Sequence, residues 1–174
     1  MTPSNATNGQ QPVIEPRAEA TGIVQADDVD RDEAQRIERA LVEAVAAATA
    51  KGRLHVERAH DEAQSRLRLT LKGALAAVLE ILSPKSGNGQ PLIGDRAHTS
   101  LTVAIHPVTT RKAIAINDHL LAATKNRPQE YGEVTIRTER DEAGAQLVVH
   151  VDGSLYSISY LLFLVHLHLT QSST

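Results

Sequence analysis

Eight histidines are spread over 174 residues, and they are the first place to look for chemistry. A metal site needs ligands at set intervals, such as paired Cys or a second His one helical turn away. His55 and His60 are five apart and His106 and His119 thirteen, neither of which is a metal signature. His166 and His168 would share a face if they lay on a strand, but no Cys or nearby carboxylate joins them. The acid run Asp27, Asp28, Asp30, Asp32, Glu33 has the alternate spacing of a calcium loop. Counted from Asp28, however, the sixth and twelfth positions hold Glu33 and Arg39, where an EF-hand needs Gly and a bidentate Glu. The glycines of "KSGNGQ" are not followed by the Lys-Ser/Thr of a phosphate loop, and no Ser sits in a nucleophile elbow. No metal, cofactor or catalytic residue is therefore expected. An enzyme would need a site assembled from residues distant in sequence.

One polar stripe is more specific. In "RLHVERA" and "RLRLTLK" apolar and polar residues alternate, so Arg53, Arg66, Arg68 and Lys72 project from one face with His55 and Thr70, opposed by Glu57. Such a face could neutralise phosphates, which makes these four the candidate nucleic-acid contacts. The corresponding second segment, with Glu133, Thr135, Arg137, Glu139 and Gln146, is not basic, and the whole chain has a formal net charge of -3.

The elements that must position these residues follow from pattern. Hydrophobic residues are 41% of the chain and charged residues 22%, enough apolar content to fold. Aromatics are only 2%, so the core is aliphatic, and Cys 0 removes disulfides and thiol chemistry. Residues 1–20 lack hydrophobic period and read as a flexible tail. Asp30 with Glu33 marks a helix start, Ile37, Leu41, Val45 and Ala48 form its apolar stripe, and Lys51-Gly52 its end. Two alternating strands joined by "HDEAQ" predict a hairpin, and "ALAAVLEIL" a helix that stops at Pro84. Residues 84–98 read as a linker.

Shifting the chain by about 80 residues repeats this plan. Gly52 falls on Gly132, Asp61-Glu62-Ala63 on Asp141-Glu142-Ala143, Gly73 on Gly153, and Leu67 on Leu147. The expected fold is α+β: two similar halves, 21–83 and 99–170, each a strand, a helix and a β-hairpin, with helices packed on antiparallel sheet. Two segments read both ways. "RKAIAIN" alternates like a strand, which would make 101–117 a hairpin, yet the shift places it under a helix. Asp152-Gly153 reads as a hairpin turn, with "SLYSISY" a strand entering at Ser154, although its counterpart prefers helix. The predicted second-half core is Val103, Ile105, Ile114, Leu121, Val134, Ile136, Leu147, Val149 and Val151; the first-half core adds Leu54, Val56, Leu67, Leu69 and Leu71 to the helix stripe.

The N-terminus has no secretory pattern, and the longest apolar run, 155–169, is shorter than the roughly 20 residues a bilayer requires. A cytoplasmic protein that does not enter the membrane is expected. The run "LLFLVHLHL" is too apolar for one small domain to cover comfortably, so Phe163, Val165, His166, Leu167, His168 and Leu169 are the candidate self-association residues; the rival reading is that the segment lies between the two halves and seals them together. The functional expectation is a non-enzymatic binding or assembly protein, acting on a protein partner or on itself as a homodimer. The alternatives are an RNA- or ribosome-associated factor that uses the basic hairpin, and an enzyme whose site is not visible in sequence.

Overall fold

A computed structural model of the chain describes residues 16–82, 93–94, 97–125 and 132–171. Ten elements follow in order: β1 (Arg17–Ala26), α1 (Arg31–Thr49), β2 (Leu54–Asp61), β3 (Arg66–Ala74), α2 (Leu75–Leu82), β4 (His98–His106), α3 (Thr110–Lys125), β5 (Thr135–Asp141), β6 (Gln146–Ser154) and α4 (Leu155–Thr170). The strands form one antiparallel sheet in the order β2-β3-β1-β4-β6-β5. The two hairpins are therefore on the outside, and the first strand of each half meets the other at the centre. The fold is α+β, with four helices on a six-stranded sheet.

Local chemistry accounts for the elements. Asp30 caps α1 by accepting from the Glu33 N–H at 2.8 Å, and Ala34, Ile37, Leu41, Ala44 and Ala48 bury one stripe. Gly52, at φ +154°, lets the chain leave the helix in a conformation that a side chain would oppose. Along β3, Leu67, Leu69 and Leu71 are fully buried while Arg68, Thr70 and Lys72 are exposed, the alternation of a sheet covered on one face. Their neighbours across the sheet, Val24, Val103, Val149 and Val151, lie in the same core, which spans both halves. At the centre Gly22 allows close approach: a Cβ there would lie 2.1 Å from the Ser100 carbonyl oxygen and 2.7 Å from Leu101 Cα. The helices contact one another in the order α1, α2, α4, α3, so α2 and α4 join the halves in the helix layer as β1 and β4 do in the sheet.

Several local contacts recur in both halves. Val29 N–H donates to Ser65 O and Val108 N–H to Ala145 O, each at 2.8 Å, fixing the strand-to-helix link on the tip of the hairpin. Ser65 and Ala145 have φ of 51° and 52°, and Asp61 and Asp141 each accept from the N–H three residues on. Helix and edge strand are tied at matching places, by Arg58 to Glu38 at 3.0 Å and by Thr138 to Asn117 at 2.9 Å.

Several expectations are corrected. β1 begins at Arg17, inside the stretch read as tail, because Arg17 to Ala20 pair with β4; residues 1–15 lie outside the described residues. Most of the linker at 84–98 also lies outside them, but Ile93 and Ala97 are buried and His98 already belongs to β4. "RKAIAIN" is helix: Ala113, Ile116 and Leu120 form its buried stripe, leaving Ile114 and Leu121, both expected in the core, 46% exposed. Asp152-Gly153 is no turn, since Asp152 pairs with both Ser100 and Thr135 inside β6. From Leu155 the chain is helical, started by Ser154 Oγ, which accepts from the Ser157 N–H at 3.3 Å. Val45, Leu54, Val56, Val134 and Ile136 are half-buried, the strand residues because β2 and β5 are edges.

Candidate interaction surfaces

Helix α4 carries no Asp, Glu, Lys or Arg from Leu155 to Thr170. Leu155, Ile158, Leu161, Leu162 and Val165 recur at helical spacing and bury its inner side. The same spacing places Tyr156, Tyr160, Phe163 and Leu167 along the outer side. Tyr156 is 40%, Tyr160 51% and Phe163 49% exposed, and Leu167 is half-buried. The sequence has only four aromatic residues, and three of them stand in this row. The matching outward positions of α2 hold Ala76 and the half-buried Glu80, which is paired with Lys51, so the row belongs to the second half alone.

The six residues expected to self-associate are thus divided between two sides of one helix. Phe163 and Leu167 belong to the exposed row. Val165 is fully buried in the molecule's own core, and Leu169 packs against that core. His168 faces α3: its Nε2 is 2.8 Å from His119 Nδ1, the rings are edge to face at 5.0 Å, and its carbonyl oxygen accepts from Lys112 Nζ at 2.9 Å. One of the two ring nitrogens must donate and the other accept, because two N–H groups cannot face each other at that distance. Burial, His119 and Lys112 hold the His168 pKa below the usual histidine value. His166 is half-buried at the margin of the row. Sequence reasoning missed Tyr156, Tyr160 and His119. A 3.6-residue period through 156, 160, 163 and 167 was the signal available for the tyrosines.

The basic hairpin residues are brought together on the face of the sheet opposite the helices. Arg66, Arg68 and Lys72 alternate along β3. Arg53, just before β2, lines a shallow pocket of about 670 Å³ with Lys72, His55 and Glu19. Their charge is opposed by more than Glu57. Arg66 Nε is 3.1 Å from Asp27 Oδ1, and Asp61 is its cross-strand neighbour. Arg68 donates to Gln25 Oε1 at 3.3 Å, and Glu57 is 2.9 Å from His55 Nε2. Arg53 and Lys72 form no ion pair among the described residues.

Among the described residues no three His, Asp or Glu side chains gather as a metal site, and no helix is long and apolar enough to cross a membrane. Compared with known proteins, the chain matches no family model, and no curated protein matches it significantly.

Proposed function

We propose that the protein is a non-enzymatic assembly module that associates with a second copy of itself through the outer face of α4. The observation that carries this reading is the placement of three of the chain's four aromatic residues in one exposed row on an uncharged helix. Single exposed apolar residues are ordinary, but a contiguous aromatic row is what buried interface centres are made of. The row favours self-pairing. Two such helices crossing antiparallel about Tyr160 bring Tyr156 of each copy toward Phe163 of the other, with no charge to desolvate.

A polyanion on the basic hairpin is the less supported reading, because Asp27, Asp61, Glu57 and Glu19 lie among its cations. The test is molecular mass by light scattering at about micromolar concentration and about 1 M salt, where contacts between charged surfaces are screened. Tyr160→Asp with Phe163→Asp should halve the mass while leaving the far-ultraviolet circular dichroism unchanged, since both side chains lie outside the core. An unchanged mass would overturn the proposal.

A further inference from the structure

The helices cover one face of the sheet, and among the described residues no element packs on the other. The central strands carry small or neutral groups in the middle of that open face, Thr21 and Ile23 from β1 and Ser100, Thr102 and Ala104 from β4, with Arg17 and Glu19 of β1 and His98 and His106 of β4 toward the strand ends. Toward the two ends the charge diverges. Positions that correspond between the halves have opposite sign: Arg53 against Glu133, Lys72 against Asp152, and Glu57 against Arg137. The β2–β3 end adds Arg66 and Arg68, whose counterparts are the uncharged Gln146 and Val148, and the β5 end adds Glu139, whose counterpart is Ala59, while Asp61 and Asp141 are acidic in both halves. On β2–β3 the cations Arg53, Arg66, Arg68 and Lys72 outnumber Glu57 and Asp61, an excess reduced by Asp27 and Glu19 beside them, whereas on β5–β6 Glu133, Glu139, Asp141 and Asp152 outnumber Arg137.

A surface built this way complements its own copy. When two sheets face each other about a two-fold axis parallel to the strands, the β2–β3 end of each lies over the β5–β6 end of its partner. Basic halves meet acidic halves twice, and the uncharged middles of the central strands meet each other. The size is sufficient: six strands about 4.8 Å apart and about 30 Å long present roughly 800 Å², close to the ~800 Å² each partner contributes to a standard stable interface. A polyanion would meet the acidic half as well as the basic one, so the pattern fits a second copy better than a nucleic acid.

We propose that the open sheet face is a second self-docking surface, in which the basic β2–β3 half of one copy pairs with the acidic β5–β6 half of another. It is carried by different residues from the α4 row and lies on the opposite side of the molecule. The two contacts together produce assemblies larger than a dimer.

Salt separates the two contacts, because screening acts on the charged face and not on the aromatic row. In the Tyr160→Asp/Phe163→Asp variant, where the α4 contact is removed, sedimentation should give twice the monomer mass at about 20 mM salt and the monomer mass at about 1 M salt. Adding Arg68→Glu and Lys72→Glu should give a monomer at both. Adding Glu133→Lys and Asp152→Lys to that variant exchanges the signs of the two halves and should restore the low-salt doubling. A monomer at low salt before any sheet-face substitution overturns this proposal while leaving the α4 reading intact. If instead the α4 substitutions change no mass but the salt-dependent doubling is present, the α4 reading fails and this one stands. Retention of a labelled single-stranded RNA of about 20 nucleotides, lost on Arg68→Glu/Lys72→Glu, with no doubling of mass, would also overturn it.

Discussion

At the scale of single residues, His168 shows how packing overrides an otherwise favourable position. It lies in the last turn of α4, where the helix dipole favours a cation. Partial burial, the facing His119 ring and the Lys112 ammonium all disfavour the charged form, and the pKa is held down. The sign of the pH effect follows. The unfolded chain takes up this proton more readily than the folded one, so stability is fully present above the usual histidine pKa near 6.5. It is lost as pH falls from there through the lowered folded-state value. The melting temperature should therefore drop between pH 7.5 and 5.5 by more in the natural sequence than in His168→Gln, which keeps a polar side chain without the titration. Equal drops in both would show that the His119–His168 contact is not pH-sensitive. Sequence had pointed to His168 as a residue of an intermolecular seam. What it could not supply was α3: the partner His119 is 49 positions away and meets His168 only because two helices pack side by side.

At the scale of elements, legibility depended on whether one period was present without a competitor. Helix α1 was readable from its cap to its final glycine, and the cap gives a quantitative expectation. Asp30→Ala removes the acceptor for the Glu33 N–H and should cost about 0.5–2 kcal/mol, measured by denaturant unfolding, whereas Asp32→Ala, which caps nothing, should cost clearly less. Equal costs would mean that the acid run acts only through its charge. The hairpins were readable for the same reason, since their alternation leaves one dry and one wet face. Helices α3 and α4 were ambiguous. In "RKAIAIN" and "SLYSISY" apolar residues fall at both alternate and helical spacing, and β-branched or aromatic residues favour strand. The choice was made by tertiary context: Ile116 and Leu120 of α3, and Ile158, Leu161 and Leu162 of α4, find the same core that α1 and α2 enter. The candidate surfaces divided likewise. The four cations of the first hairpin follow from alternation, but the aromatic row exists only where 156–167 is helical.

At the scale of the whole molecule, the two halves that sequence separates by a linker share one sheet and one core. β1 pairs with β4 over nine residue positions from Arg17 to Gln25, Gly22 lets them close, and α2 packs on α4 above that seam. Parting the halves would expose the buried sides of α2 and α4 and leave β1 and β4 as long unpaired edges, so neither half has a stable boundary of its own. The two should therefore unfold in one transition. The chain contains its own reporter for this, because all three tyrosines, Tyr131, Tyr156 and Tyr160, lie in the second half. Tyrosine fluorescence follows that half, while far-ultraviolet circular dichroism follows both. Leu69 is fully buried in the first half, and Leu69→Ala should lower the stability of the whole by about 2–5 kcal/mol, moving the fluorescence midpoint in urea as far as the dichroism midpoint. Leu147→Ala, at a buried position of the second half, should do the same to both signals. If Leu69→Ala shifts the dichroism while the tyrosines keep their original midpoint, the halves melt independently, and the shared sheet does not couple them.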